Sequence, residues 1–455
     1  MRKYLLPLAL FAATPAAAQV DLAAIGEARD AAAENDEIAW DFIEGITTEV
    51  GSRMAGTPAD ARGREWAVNW LRANGFANVR DEPVPMTAWL RGQEMARVVA
   101  PFAQDLRVTA LGQSASTGGQ ALRGEVAMFA SIDALRAVPD GSLDGRIAYI
   151  GHEMPRTQDG SGYGFAGLVR FNGPALASQK GASAILVKSI GTDDDRLPHT
   201  GATRWGDVSP IPAAALSVPD AANLERMAER GMPITVDLVL ESRTGEVTTG
   251  NVIAEVPGSD PAAGIVLVAC HLDSWDLGTG AIDDASGCGI VAAAAKNVSA
   301  MGKPRRTIRV LFAGAEEDGI WGGKAYAAGN AGGDHVVAME SDFGAGRVWR
   351  VDRKGISDAL FNDMKLALAP LGIFGGPDAA SGGADITPLL NADETIAVVS
   401  LRQDGRDYFD LHHTANDVLE KIYPDAIRQN VAAWTATVAL LANWSDPLNE
   451  PDQAD

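Results

Sequence analysis

From residue 251 onward, apolar runs too short for buried helices alternate with longer helical stretches, and few architectures accept such a chain. The expected strands are 251–256, 265–270, 307–313, 336–340 and 395–400. The expected helices are 285–300, 323–328, 357–369 and 426–443. Strands that are apolar throughout, rather than at every second residue, belong in a sheet covered on both faces. The expected fold class is therefore α/β, with a mostly parallel mixed sheet sandwiched by helices. Sheets of this kind bind ligands beyond the carboxyl ends of their strands.

Upstream the texture differs. Residues 21–75 read as helical, with Thr57 as an N-cap, Pro58 in the first turn and Gly75 as a stop. Between 100 and 245, short strands at 124–129, 145–150, 184–188, 213–218 and 234–241 alternate with turns and two helical stretches, 167–180 and 219–230. With 455 residues, more than one core is expected. The division is an N-terminal helical part at 19–100, an inserted mixed α/β domain at 101–246, a catalytic domain at 247–445 and a tail at 446–455. Nothing repeats internally.

The first eighteen residues read as an export signal: Arg2 and Lys3, a short apolar run from Leu5, then Ala16-Ala17-Ala18 before Gln19. The run is too short to span a bilayer, so a periplasmic or secreted protein without a membrane span is expected. The chain carries 38 Lys and Arg against 60 Asp and Glu, net −22. Loss of residues 1–18 takes away only Arg2 and Lys3, leaving the mature chain still more acidic. Such a surface repels phosphate backbones, which argues against nucleic acid as a partner. The two cysteines, Cys270 and Cys288, sit in apolar or small-residue segments and are expected as buried free thiols.

Polar residues cluster where the sheet should bind ligands. His271 and Asp273 follow the second strand, with Asp283 and Asp284 a short way on; Glu316 and Glu317 follow the third. Glu340 and Asp342 follow the fourth, and His412, His413 and Asp417 lie far downstream. Singly, each has an ordinary explanation as a loop histidine, a solvated pair or a helix cap. Together they gather at one edge of one sheet. Imidazoles and carboxylates are the ligands of a catalytic zinc, and a carboxylate-rich set also admits cobalt or manganese. Asp283, just before a helix, suits a carboxylate bridging two ions, and Asp273 is placed to orient the His271 ring.

The strings His271-Leu272-Asp273-Ser274-Trp275-Asp276, Gly280-Ala281-Ile282-Asp283-Asp284, Ala315-Glu316-Glu317, Glu340-Ser341-Asp342 and His412-His413-Thr414 resemble the co-catalytic di-zinc exopeptidase family, which includes bacterial aminopeptidases and glutamate carboxypeptidase II. The likeness is greatest to its carboxypeptidase Q-like members. It extends to Gly51-Ser52-Arg53 and Leu197-Pro198-His199-Thr200-Gly201. The resemblance implies two zinc ions, one on His271 and Asp342 and the other on Glu317 and His413, with Asp283 bridging. Glu316 is then the general base for water held between the metals. A cis peptide between Asp283 and Asp284 is expected, as is a protease-associated type of domain for the insertion. The implied substrates are dipeptides or other short peptides, and a homodimer is possible. His413 is preferred to His412 because it directly precedes Thr414, with Asp417 four residues on.

Three rival readings are a broad aminopeptidase of the same family, a single-zinc glutaminyl cyclase and a non-catalytic binding relative. Retention of every ligand position and of the base favours a two-metal hydrolase. Tyr408 is either a donor to the substrate carbonyl or a packing residue, and His199 reads as a surface histidine. The chain has no nucleophile-elbow serine and no phosphate-binding loop.

Overall fold

The computed structural model describes residues 20–448; the export segment and most of the tail lie outside them. Three helices open the described chain: α1 (Leu22–Asn35), α2 (Ile38–Glu49) and α3 (Pro58–Ala73). The Thr57 hydroxyl accepts the Asp60 N–H at the start of α3, and Pro58 fills the first turn, as the sequence led us to expect.

Strands follow: β1 (Ala77–Ala100), β2 (Gln104–Leu106), β3 (Val108–Ala110), β4 (Leu122–Phe129), β5 (Ile147–Ile150), β6 (Ala184–Lys188), β7 (Ala213–Leu216) and β8 (Thr235–Val256). The second half adds β9 (Ile265–His271), β10 (Thr307–Ala313), β11 (His335–Glu340), β12 (Val348–Lys354), β13 (Phe374–Ala379) and β14 (Ala397–Gln403). They join in the order β13-β12-β14-β11-β9-β10-β8-β4-β5-β6-β7-β3. The pairs β10–β9, β9–β11 and β11–β14 are parallel, and helices cover the sheet, so the expected fold class holds.

Burial explains the apolar strands. On β9, Val266, Val268 and Cys270 face one core with Phe312, Ile290 and Trp434, while Leu267 and Ala269 face a second with Leu311, Tyr326 and Leu389. Alternate side chains enter different cores, so both sets must be apolar.

Two expectations are corrected. Residues 77–100, assigned above to a helical part, form β1, which pairs antiparallel with β8 along nearly its whole length. Pro83 and Pro85 obscured it. Both point to solvent, while Val84, Met86 and Ala88 alternate inward with the period of a half-buried strand. The cysteines are not free: Cys270 and Cys288 form a disulfide. The end of β9 lies against the start of the helix Ser286–Ala300, which brings the two Cα atoms to 5.1 Å, a separation that sequence spacing does not reveal.

β8 binds the sheet together. Its N-terminal part pairs with β4 and its C-terminal part with β10. It thereby carries residues 101–246 across to the strand ends of the second half.

Candidate metal centre

Three of the polar clusters are delivered by carboxyl-terminal strand ends, and His412 and His413 follow the short helix Tyr408–Leu411. His271 closes β9, Glu316 and Glu317 follow β10, and Asp342 follows β11. Asp283 and Asp284 stand in an irregular turn, Ala281–Ala285, before the helix Ser286–Ala300, and the peptide between them is cis. The Asp284 carboxylate accepts the Gly287 N–H at 3.0 Å and the His271 N–H at 3.2 Å, tying the helix start to the strand end. Gly287 has no room for a side chain, because a Cβ there would stand 2.1 Å from the Ser341 carbonyl oxygen.

The geometry divides about Asp283. Its Oδ1 lies 3.1 Å from His271 Nε2, which is 3.4 Å from Asp342 Oδ1. Its Oδ2 lies 3.3 Å from His413 Nε2, which is 3.1 Å from Glu317 Oε2. The five residues expected to hold metal therefore come together, with one aspartate common to two half-sites. His412 stacks on His413 at 3.5 Å between ring centroids, but its Nε2 stands 3.7 Å from Asp283 Oδ2, farther than that of His413.

The inner ring nitrogens are already engaged. His271 Nδ1 is 3.1 Å from the Asp273 carbonyl oxygen, and His413 Nδ1 is 3.2 Å from that of Thr200. Donation there leaves each Nε2 facing carboxylate oxygens, an arrangement that requires a positive charge, a proton or a metal ion, between them. Asp283 Oδ2 and Glu317 Oε1 are buried without a hydrogen-bond partner. Burial drives the carboxyls of Asp284 and Glu316 well above the carboxylate range, and nearby Asp342 adds to both shifts. Burial would lower His413, but Glu317 and Asp283 outweigh it and hold it up to about 9. Two imidazoles stand among the carboxyl groups of Asp283, Asp284, Glu316, Glu317 and Asp342, an excess of acidic groups that divalent cations would balance.

Asp273 stands against the His271 ring, where the sequence reading put it. Its carbonyl, rather than its carboxylate, is within hydrogen-bond range of His271 Nδ1; the carboxylate stands 3.7 Å away. That carboxylate accepts the N–H of Glu316 at 3.0 Å and of Glu317 at 3.4 Å, shaping the turn that presents both glutamates.

Two supporting residues carried no assigned role. Arg53, 1% exposed, donates to the carbonyls of Leu272 (2.8 Å), Thr279 (2.6 Å) and Gly280 (2.9 Å), joining the loops that lead from His271 and into Asp283. Asp417 accepts the Ile282 N–H at 2.6 Å, linking the His413 segment to the Asp283 turn. The string Gly51-Ser52-Arg53 and the spacing from His413 to Asp417 were the available signals. A cavity of about 380 Å³ opens onto the centre. Asp283, Glu316 and Tyr408 line one part of it, and Arg170 and Thr203 of the 101–246 segment line another.

Comparison with known proteins agrees with this geometry. The sequence profile of peptidase family M28 matches residues 251–438. Carboxypeptidase Q of Bos taurus is 30% identical over 411 residues, covering 89% of this chain and 85% of that protein. A solved structure of a peptidase M28 precursor from Shewanella amazonensis SB2B is 42% identical, with a TM-score of 0.89 over 95% of this chain and 99% of its own. A zinc aminopeptidase of Bacillus subtilis shares the fold at a TM-score of 0.65 and 19% identity, over 92% of this chain and 96% of its own. With a relative matching along most of its length and groups at the strand ends that could hold a metal ion, this chain belongs to peptidase family M28 and is a metallopeptidase.

Proposed function

We propose that this protein is an exported exopeptidase that holds two zinc ions and hydrolyses dipeptides or other short peptides. The observation that carries this reading is the division of Asp283, whose two oxygens face separate imidazole–carboxylate pairs. Separations of 3.1 to 3.4 Å between facing donor atoms match the edges of tetrahedral zinc, about 3.3 Å for bonds of about 2.0–2.1 Å. His271 and Asp342 would hold one ion, Glu317 and His413 the other, and Asp283 both. Relatives named carboxypeptidase Q and zinc aminopeptidase support the metal and the reaction class.

Zinc bound there supplies a Lewis acid that polarises a peptide carbonyl and lowers the pKa of water. Glu316 lines the cavity and is the general base. Its carboxylate takes a proton from the attacking water and returns it to the leaving amine as the C–N bond breaks. Asp273 holds the Glu316 and Glu317 N–H groups; both glutamates line the cavity, and Glu317 also faces His413. Residues 101–246, as a protease-associated type of domain, cover the cleft and limit it to short substrates. Export rests on the N-terminal pattern; among the described residues no helix is long and apolar enough to cross a membrane.

The test is a panel of free and end-blocked dipeptides and longer peptides, assayed after chelation and again after zinc is restored. Activity lost to the chelator, recovered with zinc and confined to short peptides with free ends is expected. Chelator-resistant turnover, or equal turnover of long blocked peptides, would overturn the proposal.

A further inference from the structure

The loop 189–201 of the inserted segment packs against the turn that carries His412 and His413. His199, expected at the surface, is fully buried, and its ring lies between two oxygens. Nδ1 is 2.8 Å from the His412 carbonyl and Nε2 is 2.5 Å from Asp193 Oδ2. The carbonyl can only accept, so Nδ1 donates to it, while Nε2 faces the Asp193 carboxyl group. The next residue continues the contact: the Thr200 N–H donates to the His413 carbonyl at 3.0 Å, and the Thr200 carbonyl accepts from His413 Nδ1. His413 has a φ of 62°, in the left-handed region, a conformation that persists for a non-glycine residue only when its surroundings hold it.

The loop is shaped around this ring. A Cβ on Gly191 would lie 2.3 Å from His199 Nε2, so any other residue there displaces the imidazole. Further latches seat the same loop. Thr192 N–H donates to the Phe409 carbonyl, and the Thr192 hydroxyl donates to Asp410 at 2.6 Å. Asn416 reaches Asp195 at 2.9 Å.

We infer that His199, with Asp193, is a positioning residue: it clamps the inserted segment onto the His412-His413 turn, so that the metal half-site of His413 and Glu317 is complete only when this loop is seated. The inference rests on the proposed ligand role of His413.

The experiment uses the full-length protein and measures both zinc dissociation constants against a chromophoric chelator, together with the absorption spectrum of the cobalt-substituted protein. His199→Ala is expected to weaken one zinc by about 10- to 100-fold, leave the other unchanged and alter one cobalt signature. His199→Asn, whose amide N–H stands near the position of Nδ1, should restore most of the affinity. Gly191→Ala should reproduce the loss with His199 still present, and it decides the matter if His199→Ala does not fold. Unchanged affinities in the Ala variants, equal weakening of both ions, or no rescue by Asn would overturn the inference. His413→Ala separates the two readings. If it leaves both zinc ions bound, the ligand assignment fails; if it releases one while His199→Ala releases none, only the clamp is wrong.

Discussion

Arg53 offers the sharpest test of how the centre is held. In Arg53→Met the side-chain volume is roughly kept and the guanidinium fork is removed. The Gly280 carbonyl keeps a second donor, the Ala285 N–H at 3.1 Å, but the carbonyls of Leu272 and Thr279 lose the bonds of 2.8 and 2.6 Å. An acceptor stranded in this way costs about 1–3 kcal/mol, so the pair should cost about 4 kcal/mol. With an unfolding entropy of about 2.1 cal/mol/K per residue, a chain of this length should melt about 4 °C lower. The functional loss should be larger than the thermal one. The freed loops flank His271 and Asp283, and displacement of catalytic groups by about 1 Å costs on the order of 100-fold in rate. Arg53→Lys keeps the charge but cannot donate in three fixed directions, so it should recover only part of the activity. The assay is a thermal melt beside kcat and zinc content for both variants. A Met variant with wild-type melting and turnover, or a Lys variant with full activity, would refute the claim that the fork organises the two loops.

Three further outcomes follow from the same geometry. Glu316→Gln should keep its zinc by elemental analysis and lose about 100- to 10,000-fold in kcat, since it removes the proton acceptor but none of the five proposed ligands; near-normal turnover in the zinc-loaded variant would clear Glu316 of the role. Asp283→Ala should release metal from both half-sites at once, and retention of two zinc ions per chain would show that the shared aspartate is not the bridge. His335 is buried, with Nε2 2.7 Å from the Tyr326 hydroxyl, and burial, aided by Arg309, lowers its pKa to about 4. The unfolded chain, with the ordinary value near 6.5, therefore takes up this proton first. His335 stabilises the fold fully above about pH 6.5, and up to about 3 kcal/mol drains away as the pH falls towards 4. His335→Gln, which keeps an acceptor for Tyr326, should show a correspondingly flatter fall in melting temperature over that interval; an unchanged slope would count against it.

What the sequence determined by itself was what depends on neighbours along the chain. β9 and β10 were legible because apolar side chains run almost unbroken along both, with only His271 closing β9 and Thr307 and Arg309 interrupting β10, and α3 because Thr57 and Pro58 announce its start. His271, Asp283, Glu317 and Asp342 were legible because they lie at or just beyond a strand end or before a helix, where an α/β sheet collects polar groups whatever its loops do, whereas His413, which follows the short helix Tyr408–Leu411, was legible only from the string His412-His413-Thr414. Tertiary structure alone decided the rest. Cys270 and Cys288 pair because a strand end and a helix start happen to touch, and β1 is a strand because β8 lies alongside to take its hydrogen bonds. His199 looks like a loop histidine in the sequence and becomes a buried clamp only when the loop meets the His412 carbonyl, 213 residues further along the chain. Local pattern records which face of an element must be apolar, but not which distant backbone atom will arrive to meet a polar group, because that depends on the packing of the whole sheet.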